Sequence, residues 1–133
     1  MKRTTIFRIL TLLYLAGIAV LCFGKFSNLS QMPGSFLGIP TDKLVHFAMF
    51  LPFPALTFFS LRMAKPGVVK VLLVIIGIFI VGCLLAWGTE YVQGMLPYRT
   101  MDPEDFAADR MGLICGSLIA FLIKTFSRPK KDA

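Results

Sequence analysis

Val68-Val69-Lys70-Val71-Leu72-Leu73-Val74-Ile75-Ile76-Gly77-Ile78-Phe79-Ile80-Val81-Gly82-Cys83-Leu84-Leu85-Ala86 carries a single charge, Lys70, in nineteen residues. As a helix rising about 1.5 Å per residue it extends about 28 Å, the thickness of the hydrocarbon core of a bilayer. Three other apolar runs, 9–23, 44–61 and 111–123, are separated from it and from each other by segments rich in charge, Pro and Gly. Across the chain 56% of residues are hydrophobic, 16% are charged and the mean hydropathy is +0.76, which is the composition of an integral membrane protein. At ~20 residues per span, the 133 residues hold about four. The expected fold is all-α: one domain over 1–133, a bundle of four transmembrane helices at about 6–23, 44–61, 68–90 and 106–124, with no soluble catalytic domain.

The first run follows Met1-Lys2-Arg3, as the apolar part of a signal peptide would. Cleavage requires small residues, and the run ends in Leu21-Cys22-Phe23; Leu21 also argues against a lipoprotein cysteine at Cys22. An uncleaved span is expected. The net charge of +7 is explained by insertion rather than by nucleic-acid binding. Ten of the fourteen basic residues (Lys2, Arg3, Arg8, Arg62, Lys65, Lys70, Lys124, Arg128, Lys130 and Lys131) fall at the two ends of the chain and in the second loop. The positive-inside rule then puts both termini in the cytoplasm and the first and third loops outside. Six of the seven acids (Asp42, Glu90, Asp102, Glu104, Asp105 and Asp109) lie in or beside those outer loops. Cys22, Cys83 and Cys115 lie within spans without metal-ligand spacing and read as small packing residues. The basic tail from Ser127 reads as an anchor on anionic lipid.

Ionisable groups next to hydrocarbon cost several kcal/mol unless paired or turned into the protein, so they mark a site. In the second span Pro40-Thr41-Asp42-Lys43 supplies a helix cap, and Asp42 and His46, four apart, share a face. Pro52 and Pro54 should kink this helix below His46. Along the third span Gly82, Ala86, Glu90 and Gln93 follow helical spacing, a small-residue groove that leads to an acid and an amide, so Glu90 should point into the bundle. Asp102-Pro103 is a strong helix start, with Glu104 and Asp105 in the first turn. Asp105, Asp109, Gly112 and Gly116 share one face of the fourth helix, two carboxylates followed by a G-x-x-x-G contact. Three helices thus bring His46, Glu90, Gln93, Asp105 and Asp109 to one depth, with Arg99 in the loop above them as counter-ion or phosphate clamp.

These residues resemble the VanZ-like membrane proteins, a family named for a glycopeptide-resistance accessory protein. The resemblance rests on Asp42-Lys43 with His46-Phe47, on Glu90 with Gln93, on Pro97 with Arg99, Asp102 and Asp105, and on Gly112. It spans roughly 42–116. At Asp109 the family pattern usually carries Asn, which adds a negative charge here unless Asp109 is protonated or pairs with Arg110. The resemblance implies a bacterial multi-pass protein of the cytoplasmic membrane, with a namesake that lowers sensitivity to teicoplanin; it carries over neither a catalytic activity nor a cofactor, and leaves both open.

Three functions fit the residues. In one, Asp42, Lys43, His46, Glu90, Gln93, Arg99, Asp102, Asp105 and Asp109 form an outward-facing pocket for an anionic or lipid-linked envelope molecule, with Lys43 and Arg99 on its phosphate and the groove under the kinked second helix taking an acyl chain. In the second, His46, Glu90 and Asp105 bind a divalent metal or share acid-base work. In the third, the polar layer only specifies helix packing in an accessory subunit. Membrane lipid is the partner common to all three, and the oligomeric state is left open.

Overall fold

The computed structural model describes residues 2–24, 35–98 and 101–127. Among these residues five helices follow one another: α1 (Arg3–Phe23), α2 (Thr41–Phe50), α3 (Phe53–Ser60), α4 (Val68–Met95) and α5 (Pro103–Phe126). Because α2 and α3 continue one another, there are four helices long and apolar enough to cross a membrane, and the chain is a multi-pass membrane protein. A two-residue hairpin, β1 (Ser35–Phe36) with β2 (Ile39–Pro40), precedes α2; the apolar pattern holds no sign of it. Its turn places Leu37 and Gly38 at φ 52° and 80°, the twist that suits a two-residue hairpin.

The second span was expected to kink at its prolines, and it breaks instead. Proline lacks the N–H that would continue the ladder, so Leu51 N–H still reaches Phe47 O at 3.0 Å, and the next helix starts with Leu56 N–H on Pro52 O, also 3.0 Å. The Tyr14 hydroxyl of α1 donates to the carbonyl of Met49 at this broken turn. In hydrocarbon a freed carbonyl has no water to turn to, so it must find a partner in the protein.

Against the break lie two glycines of α5. A Cβ on Gly112 would overlap the Phe47 carbonyl oxygen, and one on Gly116 would overlap that of Leu51 and press on the Pro54 ring. The G-x-x-x-G face therefore closes on the interrupted helix, backbone to backbone. On the other side of α5, a Cβ on Gly82 of α4 would stand 2.7 Å from Leu113 and 3.1 Å from the Phe53 ring.

The buried residues of α4 are Val71, Ile75, Ile78, Gly82, Ala86, Thr89, Glu90 and Gln93, a stripe at spacings of three and four. With Phe50, Phe53, Phe58, Leu113 and Ala120 its apolar part makes the core. The remaining faces of α4 present large apolar side chains such as Leu73 and Leu84 outward, as a lipid-facing helix does. Most of α1 is likewise exposed and apolar, and it packs chiefly on α3. One polar stripe holds it there: Arg8 Nε donates to Ser60 O at 3.1 Å, the Thr11 hydroxyl lies 3.1 Å from Leu56 O, and Tyr14 follows.

The bundle has two unlike ends. Arg3, Leu61, Met63 and Lys124 surround one cavity at the first. Asp42, Glu90, Asp102, Asp105 and Asp109 gather at the second. Trp87 and Tyr91, stacked at 5.5 Å on the outward face of α4, sit at the level of this second end, as aromatic side chains do at a membrane surface.

Candidate functional site

Each side chain of the acidic end is set by a local feature of its helix. Asp102 adopts an extended backbone as N-cap of α5, and its Oδ1 accepts from Glu104 N–H at 2.9 Å. Pro103 then occupies the first helical position, which turns Asp105 and Asp109, one helical turn apart, toward α2. On α2, Lys43 and His46 are three apart and meet both of them. Glu90 rises on the small-residue stripe of α4 and is 1% exposed.

Two linked clusters result. In the first, Lys43 Nζ lies 3.1 Å from Asp42 and 2.6 Å from Asp102, and it also donates to Asp105 Oδ1. That ammonium is enclosed by carboxylates on three sides, which is the geometry of a counter-ion. Its hydrogen bond to Asp102, helped by the N–H of Glu104, holds the Asp102 carboxyl below the ordinary aspartate range.

In the second cluster the His46 ring lies between two aspartates. Nδ1 is 2.9 Å from Asp109 Oδ1, Nε2 is 3.3 Å from Asp105 Oδ2, and Glu90 Oε1 stands 3.9 Å from Nδ1. Asp105 belongs to both clusters, one oxygen on Lys43 and the other on His46. The backbone N–H of Asp102 donates to Glu90 Oε2 at 3.3 Å, so the start of α5 also orients the acid of α4.

Two oxygens of this cluster have no hydrogen-bond partner among the described residues: Glu90 Oε1 and Asp109 Oδ2, on side chains 1% and 0% exposed. A buried carboxylate oxygen left unpaired costs on the order of 1–3 kcal/mol or more, so two beside one imidazole point to a further positive charge or proton at that spot. His46, Glu90 and Asp109 each offer a ligand atom within 4.8 Å of one another; Asp42, Asp102 and Asp105 do the same, but around the Lys43 ammonium.

Asp42 and His46 share a face as their spacing implies, but the imidazole turns to Asp109 and Asp105, and Asp42 turns to Lys43. The sequence-level alternative of an Asp109–Arg110 pair is not adopted, because Arg110 projects outward with its guanidinium 4.8 Å over the Phe106 ring. Gln93 joins the layer by donating to the Cys22 carbonyl of α1 at 2.9 Å. Arg99 lies outside the described residues.

Sequence reading missed α1's part in the site. Cys22 and Leu21 line a cavity of about 50 Å³ with Asp42, His46 and Gln93. Leu21, Val45 and Met49 also line an open apolar groove of about 430 Å³ between α1 and α2, floored by Tyr14, Gly17 and Ile18. A signal existed: Arg8 at the edge of the first apolar run and Thr11 and Tyr14 within it follow one another at a spacing of three.

The VanZ/LLP1 family model matches residues 3–124. Neither a curated protein nor a solved structure matches the chain.

Proposed function

The chain belongs to the VanZ/LLP1 family, and we propose that it binds a lipid-linked molecule of the bacterial cell envelope, its head in the polar layer and its hydrocarbon chain between α1 and α2. One observation carries the reading: the small cavity at His46, Asp42 and Gln93 borders the apolar groove, the two sharing Leu21, Val45 and Met49 as walls. An amphiphile has the same division, a polar head joined to an apolar chain. The groove opens toward lipid, so such a molecule could enter sideways from the bilayer without its chain crossing water.

The pocket faces outward in this reading, with both termini cytoplasmic. That orientation follows from the basic residues and suits an extracytoplasmic envelope intermediate. A phosphate on the head would meet five carboxyl groups against the Lys43 ammonium and the His46 ring, so it needs Arg99 or a bridging cation as well. In this reading the namesake's effect on teicoplanin sensitivity becomes an effect of handling such a molecule. A second reading, acid-base chemistry on the bound head, is favoured by the unpartnered Glu90 and Asp109 oxygens beside the imidazole.

The test is native mass spectrometry of the detergent-purified protein incubated with a polyprenyl phosphate and with phosphatidylglycerol. Retained amphiphile that is lost in Gly17→Trp, which fills the groove from a position with open space around its Cα, supports the reading. Equal retention by wild type and Gly17→Trp, or none by either, removes it. In cells, a deletion strain should change its glycopeptide sensitivity and be restored by wild type but not by His46→Ala.

A further inference from the structure

The two partnerless carboxylate oxygens and the imidazole define a donor set more specific than an acidic patch. Glu90 and Asp109 are buried at 1% and 0% exposure, each ties one oxygen to a neighbour and leaves the other free, and both flank the same ring. Glu90 Oε2 is fixed by the N–H of Asp102, and Asp109 Oδ1 by His46 Nδ1. The burial of two carboxylates without a cation between them is the costly part of this layer, since an uncompensated buried charge costs several kcal/mol.

We infer that His46, Glu90 and Asp109 form a binding site for one divalent metal ion of the zinc or manganese class. Around such an ion, donors sit at about 2.0–2.2 Å, so neighbouring donors lie about 3–4 Å apart. One atom from each of the three residues already lies within 4.8 Å of the others, so side-chain shifts of about 1 Å close the set. An imidazole with two carboxylates suits zinc, manganese or ferrous iron and is a poor match for copper(I), which takes sulfur donors, or for calcium, which takes more oxygens.

The surroundings are those of a metal-bound histidine. With Nδ1 turned to the ion, Nε2–H points at Asp105 Oδ2, 3.3 Å away, and Asp105 is itself held by Lys43. A carboxylate behind a ligating imidazole fixes its tautomer and orientation. Lys43 and its three acids thereby acquire a role that packing alone does not require, which is to hold Asp105 against the ring. This inference extends the lipid reading, because a bound cation lets an acidic layer accept a phosphate, but it stands on the donor set alone.

The experiment uses the tag-free full chain in detergent, stripped with EDTA and titrated with Zn²⁺ or Mn²⁺ in the absence of added lipid, so the outcome with amphiphiles does not decide it. Wild type is expected to take up one ion per chain and to melt at higher temperature with the ion than without it. Glu90→Gln, close in shape, should weaken binding at least about 100-fold, and Asp105→Asn about 10–100-fold. Glu104→Gln, on an exposed neighbour, should bind as wild type does. His46 is the single histidine of the chain, so pulsed EPR of bound Mn²⁺ should show one imidazole nitrogen coupling, a readout that needs no variant. Absence of stoichiometric uptake by wild type, uptake unchanged in Glu90→Gln, or bound Mn²⁺ without nitrogen coupling would each overturn the site.

Discussion

Asp105 Oδ2 lies 3.3 Å from His46 Nε2, while the other oxygen of the same carboxylate holds Lys43. One side chain thus joins a charge cluster that neutralises itself to a second cluster that does not. The Lys43 ammonium, 13% exposed, is used up on one side of Asp105, and Glu90 and Asp109 lie on the other.

Removing that ammonium should therefore disturb both clusters. Lys43→Met leaves Asp42, Asp102 and Asp105 facing one another, and loss of one partner of a buried ion pair costs about 3–5 kcal/mol. Asp42 and Asp102 keep 46% and 39% exposure, so water relieves part of it and about 2–3 kcal/mol is expected. Thermal unfolding in detergent measures it; an unchanged melting temperature would mean that the ammonium is not holding the layer together.

Gly112→Ala and Gly116→Ala should each destabilise by about 1–3 kcal/mol, the range for overpacking, because the obstructing atoms are the Phe47 and Leu51 carbonyls and backbone cannot rotate aside. Gly77→Ala and Gly88→Ala meet nothing within 4 Å and should be neutral or stabilising by up to about 1 kcal/mol through helix propensity. Comparing the four melting temperatures tests whether α2 and α5 meet backbone to backbone.

Tyr14→Phe removes the hydroxyl that donates to the Met49 carbonyl at the broken turn. Hydrogen bonds within membrane bundles average about 0.6 kcal/mol, and an orphaned carbonyl adds to that, so a loss of about 1 kcal/mol is expected. Double-mutant coupling with Pro52→Ala, which restores an N–H at the break, should be larger than with the distant Gly77→Ala.

Acid should weaken the start of α5. The Asp102 carboxyl is held below its ordinary value of 3.8 by Lys43 and by the Glu104 N–H. A depressed folded-state value means that the stabilisation is present above about pH 4 and is lost as pH falls through the lower, folded-state value. Asp102→Asn should flatten the melting-temperature profile in that range. Because the group is 39% exposed, added salt should shrink the difference between the two proteins.

Phosphatase fusions in a bacterial host test the proposed orientation. High activity is expected when the enzyme is joined in the first loop at Ser27 and low activity at Lys131; the reverse pattern would turn the acidic pocket toward the cytoplasm.

The four spans were readable because lipid imposes a one-dimensional rule: about 20 apolar residues with their backbone satisfied internally. The 68–86 run, the Asp102-Pro103 start and the small-residue stripe up to Glu90 are all local signals of this kind, and so is the convergence of His46, Glu90, Asp105 and Asp109 at one depth. The break at Pro52 was readable as a position but not as an outcome. Whether a proline kinks or interrupts a helix depends on what receives the freed carbonyls, and here the receiver is Tyr14 on a helix more than thirty residues away.

The partners within the polar layer were beyond the sequence for the same reason. Asp42 and His46 are neighbours on one helix face, yet Asp42 turns to Lys43 and His46 turns to Asp105 and Asp109 of α5, because Gly112 and Gly116 bring the backbones of α2 and α5 into contact. Helical spacing determined which side chains stand at the acidic end, since depth follows from counting along each helix. The tertiary structure alone decided that Lys43 is enclosed, that Arg110 points away and that two buried carboxyl groups beside one imidazole each keep an oxygen without a partner among the described residues. Distances between side chains on different helices are set by how closely the helices pack, and no periodicity along one chain segment encodes that separation.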